Sequence, residues 1–125
     1  MSRRQKDPGH PGSKKTERYI QASILLSLKI KPSYGYELIQ NISRFGFIDG
    51  HVPPGMIYRH LRELEETGLL FSEWETDGAG PAKRVYRLTS EGMEVLDFWI
   101  EYMKAQADRL LRFVEMYQEV IHPRE

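Results

Sequence analysis

The stretch Pro53-Pro54-Gly55-Met56-Ile57-Tyr58-Arg59-His60-Leu61-Arg62-Glu63-Leu64-Glu65-Glu66-Thr67-Gly68 decides the reading of this 125-residue chain. Ile57, Leu61 and Leu64 recur at steps of four and three, the spacing of one buried helical stripe. Proline is tolerated at the start because first-turn amides have no partner inside a helix. Gly68 suits the left-handed position that closes such a helix. With the apolar stripe turned inward, Gly55, Met56, Tyr58, Arg59 and Arg62 fall on the exposed side.

Upstream, Thr16 is a candidate N-cap, and Tyr19, Ile20, Ile24, Leu25 and Leu28 follow at helical spacing until Lys31-Pro32. A second helix is predicted from near Ser33, with Leu38, Ile39, Ile42 and Phe45 on one face and Gly46 as its stop. Residues 47–53 read as a loop. Downstream, residues 69–74 and 84–88 are β-prone, and the turn residues of 76–82 join them into a hairpin. Thr89 or Ser90 caps a last helix that reaches about Ile121, before Pro123. The predicted fold class is mainly α, a winged helix-turn-helix of three helices and a two-stranded β-wing, followed by a long C-terminal helix. The domain reading is a flexible basic arm over 1–15, a DNA-binding domain over 16–89 and a dimerisation helix over 90–122.

That plan places the third helix in the major groove of double-stranded DNA and rests the hairpin on the neighbouring backbone. Gly55 then allows close backbone approach, and Arg59 and Arg62 reach phosphates or guanine edges. Glu63, Glu65 and Glu66 come late in the helix and are expected to point away from DNA. Lys83 and Arg84 beside the hairpin turn suit phosphate contact. Tyr34 and Tyr36 open the second helix, whose N-terminus favours an anion. As side chains, Tyr34, Tyr36 and Tyr86 read more readily as packing residues with one hydroxyl bonded.

Three blocks carry a family resemblance. They are Tyr34-Gly35-Tyr36-Glu37-Leu38, the run from Gly55 through Gly68 to Leu69-Leu70, and Gly80-Pro81-Ala82-Lys83-Arg84-Val85-Tyr86-Arg87-Leu88-Thr89-Ser90-Glu91-Gly92. In order and spacing the chain resembles the PadR family of bacterial regulators over roughly residues 19–120. The resemblance implies a winged-helix repressor, dimeric through its C-terminal helix, that binds an inverted-repeat operator and releases it when a small aromatic or hydrophobic effector binds. Two departures stand out. Pro53, Pro54 and Met56 occupy a stretch where the family commonly has Ser or Thr, and the C-terminal region is a single helix, as in the short-tailed subgroup.

The last helix supports dimerisation on its own pattern. Leu96, Ile100, Met103, Ala107, Leu110, Val114, Tyr117 and Ile121 form a heptad seam, with Trp99, Phe113 and Val120 as an adjacent stripe. A second copy of the chain is the simplest cover for two stripes. Trp99 is a candidate lining residue of an effector pocket at the dimer centre.

Composition narrows the alternatives. Net charge is zero, but residues 1–18 carry six Lys/Arg against two acids, and residues 89–125 carry four against eight. DNA binding needs only one positive face. There is no cysteine, and the four histidines lack ligand spacing, so neither a metal nor another cofactor is expected. No nucleophile set, phosphate-cradling glycine loop or paired carboxylates suggest an enzyme. The longest apolar run, residues 22–28, is interrupted by Ser23 and Ser27 and is too short to span a membrane, so a cytoplasmic protein is expected.

Overall fold

The computed structural model describes residues 14–46, 52–76, 78 and 80–123, with side chains from residue 19 onward. Most of the expected N-terminal arm and of the 47–53 loop lie outside those residues. The elements are α1 Lys14–Ile30, β1 Ser33–Tyr34, α2 Gly35–Ile42, a 3₁₀ turn Ser43–Phe45, α3 Pro54–Glu66, β2 Leu70–Glu75, β3 Lys83–Leu88 and α4 Ser90–Ile121. The fold is mainly helical, with one antiparallel sheet in the order β1-β3-β2.

The central helix is α1. Ile20, Ala22, Ile24, Leu25 and Leu28 are buried along it. Ser23 is buried with them, and its hydroxyl donates to the Tyr19 carbonyl at 2.7 Å, so the polar group has a partner inside the core. The helix opens at Lys14, two residues before the expected cap at Thr16. The core continues through Leu38, Ile42, Ile57, Leu61, Leu64, Leu70 and Tyr86.

The segment after α1 differs from expectation. Ser33 and Tyr34 are extended and pair with β3, Ser33 opposite Tyr86 and Tyr34 opposite Val85. The wing is therefore three-stranded, and α2 begins only at Gly35. Tyr34 is its N-cap residue, and the Glu37 carboxylate accepts from the Tyr34 backbone N–H at 2.8 Å.

Pro53 caps α3 and Pro54 is its first residue. At the other end Gly68 is left-handed, with φ of 81°. The Leu69 N–H donates to the Leu64 carbonyl and the Gly68 N–H to the Glu65 carbonyl, the paired bonds of a Schellman closure. The chain then enters β2, which pairs with β3 from Leu70–Leu88 to Glu75–Lys83. Arg87 donates across the hairpin to Glu73 at 2.7 Å and to Glu75 at 3.3 Å.

Thr89 joins the wing to α4. Its hydroxyl donates to the Gly68 carbonyl at 2.8 Å and accepts from the Gly92 N–H at 3.0 Å. Gly92 has no room for a side chain, because a Cβ there would overlap the Leu69 carbonyl oxygen. The first turn of α4 thus lies directly on the α3–β2 turn. α4 is 32 residues long, roughly 48 Å at 1.5 Å per residue. Its first half lies along α1, whereas residues 107–123 are all exposed.

Candidate nucleic-acid interface

The outward face of α3 is polar where the sequence pattern placed it. Ile57, Leu61 and Leu64 are buried, and Gly55, Tyr58, Arg59 and Arg62 are exposed. Met56 is the exception. It is half-buried against the core, because its position lies at the edge of the apolar stripe and its long side chain folds back onto it. His60 is also buried, next to Arg59, with its Nδ1 3.0 Å from the Gln21 amide nitrogen of α1 and 3.6 Å from a Glu63 carboxylate oxygen.

Tyr58 is held by a close approach. A Cβ at position 35 would stand 2.7 Å from its Cε1, so the ring passes over α2 where only glycine leaves space. The rings of the two residues that flank Gly35 in sequence, Tyr34 and Tyr36, stack at 5.6 Å between centroids and 13° between planes. Lys83 Nζ lies over both, 5.5 Å and 6.0 Å from the two centroids. Tyr34, Gly35, Tyr36, Tyr58, Lys83, Arg84 and Tyr86 line one cleft of about 430 Å³. The fold therefore gathers the start of α2, the outward face of α3 and the turn end of the wing.

An adjoining cleft of about 440 Å³ between α3 and the wing is lined by Tyr58, Arg62, Glu65, Glu66, Arg84 and Tyr86. Two of the late acids, Glu65 and Glu66, thus border it. Glu65 turns toward the wing, where its carboxylate accepts from the Ser72 hydroxyl at 2.7 Å. Glu63 faces α1, with an oxygen 3.5 Å from the Gln21 amide nitrogen. Glu65 and Glu66 line this cleft together with Arg62 and Arg84, so two carboxylates stand against two cations there. Burial raises the Tyr86 phenol above its ordinary 10.0, with the Arg84 guanidinium pulling the other way.

Trp74 was not among the expected site residues. It stands directly opposite Arg84 in the β2–β3 register, and its ring centroid lies 5.3 Å from the guanidinium carbon. Only the hairpin register, which fixes who faces whom, reveals that pair. Gly35 likewise shows its role only once α2 and α3 are packed.

Along α4 the expected seam divides. Leu96 is buried in its own subunit, and Met103 is half-buried beside it. Ile100 is just exposed, and Ala107, Leu110, Val114, Tyr117 and Ile121 are exposed outright. Leu110 (68%), Phe113 (73%) and Val120 (76%) present large apolar side chains to solvent. Trp99 is half-buried, edge-on to Tyr19 of α1 at 6.2 Å and to Tyr102 at 5.8 Å. Among the described residues no group of His, Asp or Glu is arranged to hold a metal ion, and no helix is long and apolar enough to cross a membrane.

Residues 24–97 match the PadR-like family of transcriptional regulators. The transcriptional regulator Rv3488 of Mycobacterium tuberculosis is 43% identical over 63 residues, which are half of this chain and 55% of that protein, so the match spans about half the length of this relative. Among solved structures, the conserved protein TM0937, of unknown function and regarded as a potential transcriptional factor, superposes with a TM-score of 0.76 at 32% identity, covering 88% of this chain and 97% of its own. A PadR family transcriptional regulator from Eggerthella lenta superposes with a TM-score of 0.62 at 30% identity, over 79% of this chain and 85% of its own.

Proposed function

The chain belongs to the PadR-like family of transcriptional regulators, and from that premise we propose that it is a homodimeric repressor whose paired α3 helices bind an inverted-repeat operator in double-stranded DNA. The observation that carries the reading is the common cleft. Tyr58 of α3, Tyr34 and Tyr36 at the start of α2, and Lys83 and Arg84 of the wing converge on one surface, with Arg62 beside it.

Arg59, nearer the start of α3, faces the base edges, and Arg62, turned toward the wing, faces a phosphate on the rim of the major groove. Lys83 and Arg84 take the adjoining backbone, and Gly55 lets the first turn of α3 sit close to the DNA. The winged-helix unit is residues 16–89. The arm before it is basic, and α4 carries the subunit contact.

The exposed apolar half of α4 supports the dimer. Leu110, Val114, Tyr117 and Ile121 share one face, and Phe113 and Val120 widen it. In water such a surface favours burial against its own copy, at about 25 cal/mol for each Å² covered. The spacing between the two α3 helices is then set by α4. A small hydrophobic or aromatic effector wedged near Trp99 at the dimer centre changes that spacing and so lowers affinity for DNA. Such a regulator acts in the cytoplasm, where the chromosome is.

The test is capture of genomic fragments by the purified protein, followed by titration of a captured duplex at rising salt. Affinity that falls steeply with salt supports phosphate neutralisation, by a log–log slope of about −0.9 per contacted phosphate. Absence of any captured duplex at low salt overturns the reading.

A further inference from the structure

Both cations beside the wing's turn rest on aromatic rings. Lys83 lies over the Tyr34–Tyr36 stack, and Arg84 lies against Trp74. Trp74 is 66% exposed, so it adds little to the hydrophobic core, and the fold alone does not call for an indole there. Its position does: it is the cross-strand partner of Arg84, where side chains stand close on one face of the hairpin.

Arg84 has a competing destination. It shares its cleft with the Glu65 and Glu66 carboxylates. Yet among the described residues no carboxylate lies within ion-pair distance of it. The guanidinium stays exposed, flanked by the indole face and by the Tyr86 hydroxyl, instead of being neutralised by an acid. An arginine loses many rotamers when it grips a phosphate, and a ring that already holds its plane removes part of that loss before the partner arrives.

We propose that Trp74 is a positioning residue that keeps Arg84 extended in the cleft, away from Glu65 and Glu66, as a preset cation for a DNA phosphate. This rests on the DNA-binding reading above. Trp74 acts through Arg84 and makes no contact of its own with the nucleic acid.

The experiment compares Trp74→Leu, Trp74→Phe, Arg84→Ala and the Trp74→Leu/Arg84→Ala double variant in the full chain, on a captured duplex across a salt series. Trp74→Leu is expected to weaken binding about three- to tenfold, and Trp74→Phe, which restores a π face, to return affinity to within about twofold of wild type. Arg84→Ala flattens the salt slope by about 0.9 per protomer. The double variant binds no more weakly than Arg84→Ala alone. A further loss of the same size in the double variant would show that Trp74 touches DNA itself, and unchanged affinity in Trp74→Leu would show that it does nothing for binding; either overturns the proposal. A DNA-free readout separates this inference from the functional reading. The Arg84 Nε–Hε order parameter in the unbound protein is expected to drop in Trp74→Leu and to recover in Trp74→Phe. A side chain equally ordered in all three overturns the positioning role even where the wild type binds DNA. A wild type that binds no duplex, with Arg84 still ordered by Trp74, overturns the functional reading and with it the phosphate role.

Discussion

The Tyr58 ring crosses Gly35 so closely that a methyl group there would stand 2.7 Å from its Cε1 and 3.0 Å from its hydroxyl oxygen. This contact sets where the aromatic end of the candidate DNA-binding surface lies. It also couples the start of α2 to the face of α3, two elements whose sequences give no hint of each other.

Gly35→Ala tests that coupling. Alanine suits a helix better than glycine by up to about 1 kcal/mol, and the Tyr58 ring, 42% exposed, has room to swing outward. The melting temperature is therefore expected to change by only a few degrees in either direction (roughly 1 kcal/mol). DNA affinity falls by about as much as in Tyr58→Ala. Thermal melts and duplex titrations of the two variants check both parts.

Arg59→Ala should cost about 1–3 kcal/mol of affinity for the captured operator and relax preference at one base position. Its side chain is exposed on α3, so the fold is expected to survive. Competition between the operator and single-base variants of it reads the effect. A uniform loss across all sequences would reassign Arg59 to the backbone.

The two ends of α4 should respond oppositely. Leu110→Glu changes an exposed residue, so each subunit folds while the dimer dissociates. Leu96→Ala opens a cavity in the subunit itself, because Leu96 is only 6% exposed, and costs about 2–5 kcal/mol of stability. Sedimentation velocity and denaturant titration distinguish them. A fully dimeric Leu110→Glu protein would remove that residue from the interface.

Tyr86 gives a pH dependence with a definite sign. Its phenol pKa is raised in the folded protein, mainly by burial. The folded state therefore holds the proton more tightly than the unfolded chain. The resulting stability is complete below the unfolded value of 10.0 and is lost as pH climbs through the higher folded value. Denaturant midpoints measured from pH 9 upward should fall more steeply for wild type than for Tyr86→Phe once pH passes about 10.

The four helices are legible in the sequence because each carries a period, as Ile57, Leu61 and Leu64 do for α3. The hairpin is legible because two β-prone runs flank the turn residues of 76–82. β1 is not legible, since Ser33-Tyr34 is two residues long and no period shows over two residues. Its presence follows from pairing with β3, a contact between distant segments. Met56 sits at the boundary of its helical wheel, where spacing alone does not decide between surface and core. That Glu65 and Glu66 share a cleft with Arg84 is not legible in the spacing either, because it follows from how the wing packs against the last turns of α3. Trp74 acquires meaning only through strand register. Local pattern thus reveals the elements, while the site's fine charge arrangement depends on which elements meet.

The most direct measurement is the salt dependence of operator affinity in the Arg62→Ala/Arg84→Ala variant beside wild type. These two side chains enter one cleft from opposite walls, α3 and the wing. If a DNA backbone lies in that cleft, the variant's log–log slope is shallower by about 1.8 per protomer, two phosphates at about 0.9 each. Parallel lines for the two proteins would mean that no phosphate is held between α3 and the wing, and would contradict the account at its centre.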